Sequence, residues 1–185
     1  MAKRPSVRSL IKNLEAEELR EVIAELCKLS TKNRQFLELY LQGSDTAQPG
    51  PVVEEAKKAI HRHLYGRGQF PKLDLRAARK AVTEYSKVLK EYPRHAAELK
   101  LYYVELGTQI TDDYGDLYEG FYNSMASMFE SFCSDVKRHP MWYPDFAGRI
   151  QALEQATYYM GWGYGDDIRF LMSELQEHAE QNKIE

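Results

Sequence analysis

Apolar residues recur three and four positions apart along almost the whole chain. Leu19, Val22, Ile23, Leu26 and Leu29 mark one amphipathic helix. A shorter one carrying Val7, Leu10, Ile11 and Leu14 precedes it, and a third with Phe36, Leu39 and Tyr40 starts near Thr31. Val53, Ala56, Ile60 and Leu64 follow at the same spacing. Leu75, Ala78, Val82, Tyr85, Leu89 and Tyr92 form a narrow stripe. Ala96, Leu99, Tyr103, Leu106 and Ile110 repeat it after Pro93, a residue that suits the first turn of a helix. Phe146, Ile150, Leu153, Thr157 and Met160 give the next helix, and Ile168, Leu171, Met172, Leu175 and Ala179 the last. Nothing reads with the two-residue period of a strand. The pattern predicts an all-α fold of eight or nine helices, packed as antiparallel hairpins in a bundle or a short helical-repeat-like array.

The segment from 116 to 139 stands apart. Leu117, Tyr118, Phe121, Tyr122, Met125, Met128, Phe129, Phe132, Cys133 and Val136 cover a wide apolar arc, while Gly120, Ser124, Ser127 and Ser131 line the other side. A helix apolar over a wide arc and small on its back can pack closely on two sides. It is the expected central helix. The organisation this implies is N-terminal helices over 1–42, a GSDTAQPGP linker over 43–51 and a main body over 52–185, together one compact unit. YGRGQFPK (65–72) breaks the chain once more.

The stretch YMGWGYGDD (159–167) holds three alternating glycines and two aspartates. Phosphate loops follow a strand and offer bare N–H groups, whereas Asp166 and Asp167 would fill and repel such a site. Tyr114-Gly115-Asp116 and Tyr164-Gly165-Asp166 are the same tripeptide, and each precedes an apolar-periodic run. This predicts Asp116 and Asp166 as helix N-caps, with Glu119 completing an acidic capping box, and Gly161 as a left-handed C-terminal glycine.

Composition changes little: 43% hydrophobic and 29% charged residues suit a globular protein of 185 residues. No run approaches the ~20 apolar residues of a membrane helix. The basic N-terminus lacks the apolar core of a signal peptide. Cys27 and Cys133 fall on helix faces, which favours buried free thiols in a reduced, cytoplasmic setting. No metal-ligand, P-loop or nucleophile-elbow motif is present, so no cofactor, metal ligand or catalytic residue is assigned. His61 and His63 point about 200° apart on a helix and cannot share an ion.

Charge distribution does change the picture. Residues 1–100 hold 20 Lys+Arg against 13 Asp+Glu, and residues 101–185 hold 5 against 15. Between 57 and 100 there are 12 basic residues against 4 acids. Arg76, Lys80, Lys87 and Lys90 lie off the apolar stripe, where a solvent-facing row could track phosphates. The acidic half, with Asp112 and Asp113 beside a turn, is the complementary candidate surface. Tyrosines clustered at 102, 103, 114, 118 and 122 suit an interface, or an aromatic core whose hydroxyls reach the surface.

The segments SLIKNLEAEELREVIAELCKL, PKLDLRAARKAVTEY, LKLYYVELG, DDYGDLYEGFYNSMASMFE and GWGYGDD resemble, in order and over nearly the whole chain, an uncharacterised bacterial domain-of-unknown-function family. The YGD…FYNSM and GWG…D segments carry the resemblance most specifically. More loosely, the layout resembles the tetratricopeptide-like and HEAT-like helical regions of other bacterial proteins. Glu15 stands where the family tends to place a serine cap, and the 43–51 linker is longer and richer in proline. The resemblance implies an architecture and no catalytic residue. The leading expectation is therefore a non-enzymatic protein-interaction module or adaptor with an unidentified protein partner. The alternatives are a nucleic-acid-associated protein using the basic 57–100 face, and an enzyme with an acidic site around Asp112, Asp113, Asp116, Asp166 and Asp167.

Overall fold

The computed structural model describes residues 4–42 and 48–182. Nine α-helices and no strand occur among them: α1 Val7–Ile11, α2 Ala16–Leu29, α3 Thr31–Gln42, α4 Gly50–Leu64, α5 Leu75–Val88, α6 Pro93–Tyr114, α7 Glu119–Arg138, α8 Tyr143–Thr157 and α9 Tyr164–Gln181. A single 3-10 turn, Pro140–Trp142, joins α7 to α8. The fold is all-α, and each helix coincides with a predicted apolar run. The chain divides into two compact units at residues 47 and 48. Most of the expected linker, 43–47, lies outside the described residues. Its end does not behave as linker, because α4 begins at Gly50 with Pro51 in the first turn, where a missing N–H costs nothing.

In the first unit α2 packs on α3. Glu18 accepts the Glu15 backbone N–H at 2.8 Å, so an acidic residue does the capping work at this helix start. Two short helices cannot enclose their own apolar stripe. Val22, Ile23, Leu26 and Leu29 all remain exposed.

The second unit has a filled core. The α4–α5 hairpin lies against α6, and α6 also packs on α7 and α8, while α7 and α8 both meet α9. The expected centre, 116–139, is therefore displaced by one helix. α6 buries residues all round, among them Leu99, Leu101, Tyr103, Val104, Leu106 and Ile110, whereas α7 buries its wide arc and leaves Ser127 exposed. The small side of α7 makes room for long cationic side chains rather than for a helix. Arg79 of α5 donates to Ser124 O at 2.9 Å and to Ser127 Oγ at 3.0 Å. Lys100 of α6 reaches Ser131 Oγ at 2.9 Å and Asp135 at 2.5 Å.

The buried tyrosines behave as core residues with satisfied hydroxyls. Tyr103 bonds Ser124 Oγ at 2.8 Å, Tyr85 donates to Glu55 at 2.8 Å and Tyr164 bonds Thr108 at 3.0 Å. Cys27 and Cys133 are both free thiols in the structure. Burial pushes the Cys133 thiol up to about 12, which removes its nucleophilicity at neutral pH.

Candidate functional site

Two turns that repeat one tripeptide come together in space. α6 ends at Tyr114 and is followed by Gly115, whose φ of 86° requires a glycine. The loop 115–118 then runs into α7, and against it lies the turn between α8 and α9. Trp162 donates its indole N–H to Leu117 O at 2.8 Å, across 45 residues of sequence. Gly161 sits so close to Asp116 that a Cβ would stand 2.7 Å from its carboxylate. Tyr122 donates to Asp116 at 2.5 Å while its oxygen accepts the Leu117 N–H at 3.2 Å. Burial and the Asp116 carboxylate both hold the Tyr122 phenol above its ordinary range. Beneath, the Tyr122 and Tyr164 rings lie 5.2 Å apart. The two turns form one clasp.

The clasp corrects three expectations. Asp116 is not the N-cap of α7; that position is Tyr118, and Asp116 instead fastens Tyr122. Asp166 is not a cap either. It lies in the first turn of α9, behind a left-handed Gly163, and pairs with Arg169 at 3.1 Å. Its carboxylate still faces the positive end of the helix, which explains why a cap signal is visible there. Gly161 is not the left-handed residue; Trp162 and Gly163 are, at φ 59° and 73°. Glycine is needed at 161 for close approach instead. A cap that sequence reasoning missed is Asp74, which accepts the Ala77 N–H at 3.0 Å and starts α5. Its signal, an aspartate directly before LRAARKAV, was legible.

An outcome follows for Asp116. Asp116→Ala should cost ~1 kcal/mol, the scale of one hydrogen bond. Asp116→Asn should retain most of it by keeping an acceptor for Tyr122. Urea midpoints of the two variants, with and without Tyr122→Phe, check this, because the tyrosine change should erase the difference between them.

Around the clasp, aromatic side chains stand in solvent. Tyr159 is 94% exposed, and Tyr118, Tyr158, Trp162 and Phe170 are each at least half exposed. Tyr158 and Tyr159 pack edge to face at 4.7 Å, and the Arg169 guanidinium lies 5.3 Å above the Tyr158 ring. Phe170 follows Asp166 by one helical turn and shares its side of α9. Exposed carboxylates occur on the helices that meet at the clasp: Asp166 and Asp167 in the first turn of α9, and Asp112 and Asp113 in the last turn of α6. Asp113 accepts from the Tyr65 hydroxyl. Among the described residues, no three His, Cys, Asp or Glu side chains gather closely enough to hold a metal ion.

The basic row lies along one side of α5 and into the turn that follows it. Arg76, Lys80, Lys87 and Lys90 are all exposed. They do not reach across to the acidic half. Lys80 and Lys90 approach neighbours on their own segment, Glu84 at 3.6 Å and Glu91 at 3.7 Å. Pairing between the halves runs through Arg94 to Asp145 at 2.8 Å and Lys100 to Asp135. The rest of the basic segment turns elsewhere: Lys57, Lys58, Arg62 and Arg67 line a separate groove beside α4.

Among the described residues no helix is long and apolar enough to cross a membrane. No protein-family model, curated protein or solved structure matches the chain.

Proposed function

We propose that the protein is a non-enzymatic helical interaction module whose clasp surface docks a protein segment carrying basic and apolar side chains. The observation that carries this reading is the exposed aromatic group Tyr118, Tyr158, Tyr159, Trp162 and Phe170, carried by the two turns of the clasp and by α9, which also presents Asp166 and Asp167 to solvent. Tyrosine and tryptophan supply large contact area at small entropic cost, and they dominate measured interface energies. Trp162 is held by its bond to Leu117, so part of the ordering cost of binding is met before a partner arrives. The excess of Asp and Glu over residues 101–185 sets the sign of the partner: a cationic segment is attracted and an acidic one repelled.

The test uses side chains that stand in solvent, where the Tyr159 ring meets the exposed ring of Tyr158. Tyr159→Ala combined with Phe170→Ala should leave the urea midpoint within ~0.5 kcal/mol of wild type. It should weaken a purified partner, identified by capture from nuclease-treated lysate, by about 30-fold or more in calorimetry. Wild-type affinity should also fall as salt rises. Capture of the same proteins at the same strength by wild type and variant would overturn the reading.

The nucleic-acid alternative rests on the exposed α5 row. That row spans 15 residues, about 20 Å at helical rise, and two of its four cations already have a carboxylate within 4 Å. The aromatic surface has the stronger claim.

A further inference from the structure

The side of α5 facing α7 encloses a groove of about 530 Å³. Arg79, Lys87, Lys90 and Lys100 line it, and Val82 and Met128 form apolar floor. No carboxylate belongs to the lining. Arg79 is half-buried, yet every hydrogen-bond partner it has is neutral: Ser124 O, Ser124 Oγ and Ser127 Oγ. Lys87 has no ion-pair or hydrogen-bond partner among the described residues. Lys100 is matched by Asp135, but that carboxylate is shared with Arg138. The Ser86 hydroxyl in the wall is buried and without a hydrogen-bond partner. Lys87 and Lys90 sit near the C-terminal end of α5, where cations also answer the helix dipole. Arg79 is more than two turns earlier and Lys100 is on another helix, so the dipole does not account for the group.

We propose that this groove binds a phosphate-bearing anion of metabolite size. Four cations stand against two carboxylates, Glu91 beside Lys90 and Asp135 beside Lys100, so the groove keeps a positive balance, and an anion that enters relieves the repulsion. A single carboxylate neutralises one charge, whereas a di- or triphosphate carries several and offers many acceptors to an Arg fork and lysine ammoniums. The volume lies within the range of small-molecule sites. The apolar floor gives an organic group attached to the phosphates a place to lie. A long nucleic-acid backbone fits less well, because Glu91 and Asp135 lie beside two of the groove's cations and would meet phosphates that run on past it.

The experiment is calorimetry on the full chain at near-physiological salt, with sodium tripolyphosphate, adenosine triphosphate and a random-sequence 20-nucleotide RNA as probes. Tripolyphosphate should bind with one-to-one stoichiometry. Lys87→Gln, an exposed change that disturbs no internal bond, should weaken it by about tenfold, the scale of one charge-assisted contact. Arg79→Gln should weaken it at least as much. Lys58→Gln, in the groove beside α4, should leave it unchanged. Tighter binding of adenosine triphosphate would assign the floor to an organic group, and equal binding would assign the site to the phosphates alone; both agree with the proposal. No binding of either phosphate, an equal loss in Lys58→Gln, or RNA bound more tightly than tripolyphosphate and lost in Lys87→Gln would overturn it.

Discussion

Gly165→Ala should destabilise the protein by about 3 kcal/mol, at the upper end of the overpacking range. Gly165 is buried in the first turn of α9, where the chain doubles back against the end of α8. A Cβ at this position would stand 2.4 Å from Thr157 O. The obstacle is backbone, so no side-chain rotation can relieve it; the clasp itself must open. Gly148→Ala is the matching control. It lies exposed in the middle of α8 with nothing within 4 Å of the added atom. There alanine should stabilise by about 0.5–1 kcal/mol through helix propensity. One substitution type thus takes opposite signs at two helical glycines 17 positions apart. Thermal denaturation reads both: the first should lower Tm by roughly 6–12 °C for a chain of this size, and the second should raise it slightly. A Gly165→Ala midpoint equal to wild type would mean that the α8–α9 turn does not pack as described.

The second large effect is a coupling across the α6–α7 contact. Gly107 lies on α6 opposite Met125, and a Cβ there would stand 2.2 Å from the methionine sulfur. Met125 is fully buried, so its thioether has no open water to swing into. Gly107→Ala should cost about 2 kcal/mol by overpacking, and Met125→Ala about 3 kcal/mol by leaving a cavity. Together they should cost less than their sum by at least about 1 kcal/mol, because the new methyl enters the space the thioether leaves. Urea denaturation of the four proteins in the cycle measures this. Simple additivity would place the two side chains apart.

The helices were legible because long apolar periodicity has few competing readings. Leu99, Tyr103, Leu106 and Ile110 can share a face only on a helix. The clasp was half legible. The echoed YGD marked two turns, but a bond from Trp162 to Leu117 joins residues that no local pattern relates. The caps failed for a related reason. An aspartate before an apolar run can cap the helix or serve a tertiary partner, and for Asp116 the partner Tyr122 won. The small side of α7 misled differently. Gly120, Ser124, Ser127 and Ser131 read as room for a helix, yet the room is taken by Arg79 and Lys100. Long cations with apolar stems fill such a space as readily as a helix does. The groove those cations help to form was invisible for the same reason, since Arg79 and Lys100 belong to different helices.

The docking role of the clasp surface is tested most directly by a benzophenone cross-linking side chain placed at position 159, the most exposed aromatic of the patch, and compared with the same group at position 87. Irradiated in intact cells, the position 159 protein should give discrete adducts with one or a few proteins. These should disappear when Phe170→Ala is added. No protein adduct at position 159, with nucleic-acid adducts at position 87, would contradict the account and return the function to the basic face of α5.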